Sequence, residues 1–311
     1  MTDKWLTCAP VMDYWDQSGS IRQSLEFANG VKLESLPDWV KTEKALKFLG
    51  WSRRESIRKF ALIGFTIEYE AESLGDPDPD WKGIKPRSKQ EKAMEQILLA
   101  NLSIWIAKPS KLSYDTILHF DRSGDPESIR QSISTFGLVP HHFDADTELS
   151  AEDFDAAIAV HNSICSLHRD GNLWTASRLL WRALSERMWE ARFLLLWVVL
   201  EALFGPTDPR EITYRLSQRV AFFLGQDRDK IEQLFKKTKT LYSWRSKTVH
   251  GARLSKLPED KSAQVLLDVE KLARKSMSKI LLDDRLIKKF DGNKRDEFLD
   301  KRMFECVSEK I

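Results

Sequence analysis

The segment LYSWRSKTVHG, residues 241–251, contains the two side chains best suited to chemistry near neutral pH. His250 has an imidazole whose ordinary pKa of about 6.5 lets it take up and release a proton under physiological conditions. Arg245 carries a permanent positive charge and a forked set of donors that can stabilise an anionic transition state. The pair therefore suits a reaction in which a proton moves while negative charge builds up on a phosphoryl group.

The spacing of these two residues is weak support for a site when it is taken alone. The chain has 22 arginines and 6 histidines, so about 0.4 pairs at this separation are expected by chance. In an ideal helix, five residues place the two side chains about 140° apart, whereas Ser246 and His250, four apart, share a face. Gly251 predicts a helix end near Val249, where the long Arg245 side chain can curl towards the imidazole.

The elements that must position this pair are predicted to be helices. The capping signal SAED, residues 150–153, predicts a helix that extends to about His168. A long helix is predicted over 173–204, where bulky residues recur at near-heptad intervals. Asp208, Pro209 and Glu211 predict the cap and first turn of a helix that extends to Leu224. Further helices are predicted over about 229–250, 260–282 and in the tail. Short connections between them indicate a helical bundle.

The first half of the chain gives weaker signals. Residues 1–36 are interpreted as irregular, and a short helix is predicted from Pro37 to Phe48. The capping box SRRE, residues 52–55, predicts a helix whose apolar positions continue through Ile67 to Leu74. SKQE, residues 88–91, predicts another helix to about Ala107, and residues 113–120 a strand. The polar stretch 140–149 is interpreted as a domain boundary.

The predicted fold is mainly α. A C-terminal helical bundle, residues 150–283, follows a mostly helical N-terminal region, residues 1–149, that has a few short strands; residues 284–311 form a helical tail. The net charge of +2 excludes a polycation, so any contact with nucleic acid needs a local basic patch.

Three dispersed cysteines and an N-terminus without a signal-peptide pattern favour a cytoplasmic protein. The most apolar run, residues 193–204, is shorter than a bilayer span of about 20 residues and contains Glu201. No membrane partner is therefore expected.

Three segments in order, LLLWVVLEALFG (194–205), ITYRLSQRVAFFLG (212–225) and LYSWRSKTVHG (241–251), resemble the HEPN domain family, in its Apea-like branch. The resemblance covers about residues 150–283. It implies a helical bundle that acts as a homodimer, with Arg245 and His250 of two protomers meeting in one catalytic cleft. It also implies metal-independent cleavage of an RNA substrate, without a cofactor, in a toxin or anti-phage defence role.

In that setting the N-terminal region would sense a trigger or restrain the nuclease, and a regulatory protein or a phage-derived trigger is a further expected partner. The family often has a polar residue, frequently Asn, after the arginine; here Ser246 occupies that place. A tyrosine that some relatives carry two places after the histidine is replaced by Ala252.

Residues around the pair could support such a reaction. A strand of RNA needs basic contacts, and the candidates on the same segment are Lys236, Lys237, Lys239, Tyr242, Lys247 and Arg253. An equally acceptable interpretation is that the lysines form a solvated face and the aromatic residues belong to the core. Glu201 is expected to pair either with Arg215 or Arg219, or to lie near Arg245, because an unpaired carboxylate in an apolar helix is costly.

Two groups of residues were considered as metal sites, and an alternative to the catalytic function remains open. PHHFDAD, residues 140–146, has a composition that could bind a metal ion, but adjacent histidines diverge, so no metal site is predicted. Cys165 and His168 are a weak pair without further ligands. A different class of function is a non-catalytic HEPN-like dimerisation or adaptor module, in which Arg245 and His250 are structural.

Overall fold

The computed structural model describes residues 4–11, 24–70, 88–122, 128–134, 148–208, 210–249, 259–292 and 294–308. The chain divides into two compact units, Met1–Asn162 and Ser163–Ile311. The sequence predicts a boundary near residue 149, whereas the division between the compact units follows Asn162, about thirteen residues later.

An antiparallel sheet forms the centre of the N-terminal unit. Its strands are β1 (Lys4–Pro10), β2 (Leu25–Glu26), β3 (Lys32–Ser35), β4 (Ile63–Glu70), β5 (Thr116–Asp121) and β6 (Ser128–Ser134). Their order across the sheet is β2-β3-β4-β1-β5-β6, and β1 pairs with β4 and β5 on its two sides. One of the two central strands is therefore β1, the first strand in the chain.

Two expectations for the segments that form this sheet were wrong. Residues 4–10 form a strand, not irregular chain, because five consecutive residues of β1 are buried between its two neighbours. Residues 63–70 form β4, not the continuation of a helix. The β-branched and aromatic residues of IGFTIEYE favour a strand, and the pairing partners that decide it are distant in sequence.

The helices of the N-terminal unit are α1 (Trp51–Phe60), α2 (Lys89–Ala107) and most of α3 (Ala151–Ser166), whose last four residues belong to the C-terminal unit. Ser88 and Glu91 form the predicted capping box of α2, and Ser150 and Asp153 exchange equivalent hydrogen bonds before α3. The predicted box at Ser52 is absent, because α1 begins two residues earlier and Gly50 is its N-cap. A 3-10 turn, Asp38–Lys41, replaces the predicted helix after Pro37.

Seven helices make up the described part of the C-terminal unit beyond α3. They are α4 (Asn172–Ser185), α5 (Trp189–Phe204), α6 (Ile212–Leu224), α7 (Arg228–Val249), α8 (Glu259–Leu281), α9 (Asp284–Phe290) and α10 (Arg295–Ser308). The predicted helices from the Asp208 cap to Leu224, over 229–250, over 260–282 and in the tail correspond to α6, α7, α8 and α10. The mainly α fold class, with a small sheet in the N-terminal region, is confirmed.

The single long helix predicted over 173–204 is wrong. The chain leaves the helical conformation at Glu186, and α5 starts after Met188, so that α4 and α5 pack against each other. One uninterrupted helix of this length would extend about 48 Å and could not bury its whole apolar stripe within a bundle of this size. The break lets both halves contribute to one core.

The start of α6 also differs from the prediction. Glu211 precedes the helix in a left-handed conformation, with φ of 55°, and makes no capping hydrogen bond with its side chain. Asp208 accepts hydrogen bonds from Arg210 instead.

Among the described helices, none is long and apolar enough to cross a membrane.

Candidate functional site

Arg245 lies near the end of α7, and Glu201 of α5 holds its guanidinium in place. Arg245 Nε is 3.1 Å from Glu201 Oε1, and Nη2 donates to Oε2 at 3.3 Å. The Tyr242 hydroxyl donates to Glu201 Oε1 at 2.8 Å. The carboxylate therefore binds a cation and a phenol that lie three residues apart on one face of α7.

Aromatic side chains complete this cluster. The Tyr242 ring packs edge-on against Trp197 of α5, with ring centroids 4.9 Å apart, and the Arg245 guanidinium lies 5.5 Å from the centroid of the Tyr242 ring. Tyr242 and Trp197 are buried, whereas the Arg245 side chain is 30% exposed and that of Glu201 20%. The cluster thus fixes a guanidinium that solvent can still reach.

The electrostatics of the cluster follow from this arrangement. Burial, and then the hydrogen bond to Glu201 and the charge of that carboxylate, raise the pKa of Tyr242 to about 12. Tyr242 is therefore neutral at physiological pH and acts as a hydrogen-bond donor. The hydrogen bond to Glu201 uses one of the five N–H donors of Arg245, so donors remain for an anionic group.

Glu201 thus satisfies one of the two pairings left open by the sequence. It binds Arg245. Arg219 instead pairs with Asp296 and Asp300 of α10, and Arg215 approaches the backbone carbonyl of Asp208. The role of Trp197 was missed, although its position four residues before Glu201 on α5 is the signal that could have revealed it.

The predicted basic residues of α7 do not gather around Arg245. Helix geometry places Lys236, Lys239 and Lys247 about 120–180° from Arg245 around α7. Lys236 pairs with Glu232, Lys247 lies 4.4 Å from the centroid of the Trp244 ring, and Ser246 is exposed. Because Tyr242 is buried, it does not present its ring for stacking on a base.

Lys237 points in another direction. Its Nζ lies 2.6 Å from Asp268 Oδ1 on α8.

His250 and Arg253 lie outside the described residues, as do the histidines and aspartates of residues 140–146. The described chain contains no group of three or more metal-ligating side chains.

Comparison of the chain with family models, with characterised proteins and with solved structures gives no match.

Proposed function

We propose that this chain is a metal-independent endoribonuclease of HEPN type that acts as a homodimer in the cytoplasm, in a toxin or anti-phage defence role. The observation that supports the proposal is the preorganised Arg245 guanidinium, which Glu201 and Tyr242 fix while part of it remains exposed. A preorganised charge at the place where negative charge develops is the largest common contribution to catalysis of this kind.

The proposed reaction uses Arg245 and His250, which lie five residues apart in the sequence. His250 takes the proton of an RNA 2′-OH, and the resulting oxygen attacks the adjacent phosphorus. Arg245 stabilises the negative charge of the pentavalent phosphorane. The partner's His250 gives a proton to the departing 5′-oxygen, so the products carry a 2′,3′-cyclic phosphate and a 5′-OH. Proton transfer by two imidazoles requires no cofactor and no metal ion.

A second candidate, a non-catalytic HEPN-like dimerisation or adaptor module, is favoured by one observation. The ion pair and the hydrogen bond between Glu201 and Arg245, together with the hydrogen bond from Tyr242, also link α5 to α7. A purely structural pair would have the same geometry. The two functions differ in whether Arg245 contacts a phosphate.

An RNA cleavage assay separates the two candidates. The purified full chain is incubated with mixed cellular RNA in EDTA, beside an Arg245→Ala/His250→Ala variant and an Arg228→Ala control that removes an exposed arginine at the other end of α7. We expect cleavage by the wild type and the control but not by the double variant. Cleavage that persists in the double variant, or inertness of a folded wild type both here and as a toxin on expression in cells, favours the adaptor.

A further inference from the structure

A cavity of about 400 Å³ lies between α7, α8 and the end of α6, away from the contacts between Glu201 and Arg245. Four lysines line it: Lys230 and Lys237 on α7, and Lys271 and Lys275 on α8. Asp268 supplies the carboxylate among its lining residues. The cavity is therefore strongly positive.

The carboxylate balances only part of this charge. Asp268 pairs with Lys237 at 2.6 Å, whereas Lys230, Lys271 and Lys275 make no ion pair within the described part of the chain. Burial, followed by repulsion from Lys271, Arg274, Lys230 and Lys237, lowers the pKa of Lys275. Like charges held this close together destabilise the folded chain, and a bound anion would relieve that cost.

The remaining walls of the cavity are not ionic. Leu224, Leu234 and Leu272 provide apolar surface, and Gln226 and Gln233 provide amide groups. The volume falls within the range of small-molecule sites, which typically combine apolar walls with a few convergent polar groups. The cavity thus has one set of residues for anionic groups and another for an apolar ring.

We propose that this cavity binds a small molecule that carries two or more phosphate groups on an apolar ring system, as a nucleoside di- or triphosphate does. The lysine ammonium groups bind the phosphates as point charges. The leucines contact the ring, and the glutamine amides can accept and donate hydrogen bonds at its edge. This site does not depend on the proposed ribonuclease activity.

A small molecule fits these walls better than a nucleic-acid strand does. Sites for single strands combine a long basic groove with aromatic side chains on which bases stack, and the lining residues include no aromatic side chain. A ligand of this size also contacts α7 and α8 at once. Its binding is therefore expected to raise the thermal unfolding temperature of the full chain.

Calorimetric titration of the full chain in EDTA tests the site with three probes: ATP, inorganic tripolyphosphate and adenosine. The cavity variant is Lys271→Gln/Lys275→Gln. The matched control, Lys288→Gln/Lys289→Gln, removes the same charge from exposed positions of α9. We expect ATP and tripolyphosphate to bind the wild type and ATP to bind more tightly than adenosine. The Kd for ATP should rise at least about tenfold in the cavity variant and stay unchanged in the control.

The thermal unfolding temperature of the cavity variant without ligand should be no lower than that of the wild type, because the variant loses charge repulsion and loses no ion pair. This measurement also checks that the variant is folded. The proposal is overturned if neither phosphate probe binds, if adenosine binds as tightly as ATP, or if both variants weaken binding equally. It is also overturned if a short single-stranded DNA binds through Lys271 and Lys275 while ATP does not.

Discussion

Glu201 determines how Arg245 is presented. The sequence indicated that a carboxylate in so apolar a helix needs a partner, but it could not choose between Arg215, Arg219 and Arg245. That choice depends on the packing of α5 against α7 and on the acidic residues of α10, which bind Arg219. The residue types of the candidate site are therefore predictable, whereas their partners follow from tertiary structure.

Replacement of Glu201 by Gln should lower the pKa of Tyr242, because the charge of Glu201 contributes to raising it to about 12. A folded-state pKa above the usual value of about 10 stabilises the protein below pH 10, and this contribution is lost as the pH rises from 10 to 12. In Glu201→Gln this loss should be smaller and should end at a lower pH, because the folded-state pKa lies closer to 10. Absorbance titration of tyrosine checks the shift.

Glu232→Gln is the matched control for that titration, since Glu232 is an exposed carboxylate on α7 that pairs with Lys236. It should leave the Tyr242 titration unchanged. An identical titration in the wild type and in Glu201→Gln would show that the carboxylate does not influence Tyr242.

At the scale of elements, helix positions were predictable and helix continuity was not. The start of α2 follows from a local capping box, whereas the break between α4 and α5 leaves no proline or glycine in the sequence. Arg192 shows what fixes that break. It is fully buried on α5, donates to Glu270 of α8 at 2.6 Å and to the carbonyl of Leu184, at the end of α4, at 3.1 Å.

Arg192→Ala should destabilise the chain by about 3–5 kcal/mol, because it leaves Glu270 as a buried charge without this partner. Urea unfolding measures the loss. An Arg192→Met/Glu270→Met variant should recover most of it, and Arg228→Ala, an exposed change, should cost less than about 0.5 kcal/mol. A loss in Arg192→Ala no larger than in Arg228→Ala would contradict the structural role of this pair.

Two buried histidines of the N-terminal unit should make its stability depend on pH. Burial lowers the pKa of His119, on β5, and of His161, on α3, to about 4. Unfolded histidine titrates near 6.5, so the unfolded chain binds more protons between these values and stability falls as the pH drops from 6.5 to 4. Each histidine should contribute up to about 3 kcal/mol of this loss.

The free energy of unfolding is measured between pH 4 and 6.5. Its slope against pH should be smaller for a His119→Gln/His161→Gln variant than for the wild type. His168→Gln, at an exposed position, should keep the wild-type slope. Equal slopes in all three proteins would show that the buried histidines are not the cause.

At the scale of the whole molecule, the sequence predicted the fold class of both units and underestimated the sheet. The bundle is recognisable because its helices have periodic apolar positions and short connections. The sheet is not recognisable from the sequence, because one of its two central strands, β1, is the first in the chain and pairs with β4 about 60 residues later. Local signals cannot specify such distant pairings.

The composite site that we propose would make RNA cleavage depend on both protomers of a dimer. When wild-type and His250→Ala chains are co-expressed, random dimers should show RNA cleavage that falls with the square of the wild-type fraction, because one imidazole cannot serve as base and acid together. The dimers are purified through one tag common to both chains, and RNA cleavage is measured at several ratios of the two chains. A linear fall would indicate that each protomer cleaves RNA independently.

The chemistry of the RNA ends tests the central proposal most directly. A labelled RNA is incubated with the wild type or with His250→Ala in excess EDTA, and the ends of the fragments are identified. The proposed function predicts a 2′,3′-cyclic phosphate and a 5′-OH from the wild type and no fragments from His250→Ala. Fragments with a 3′-OH and a 5′-phosphate, or identical cleavage by His250→Ala, would contradict it.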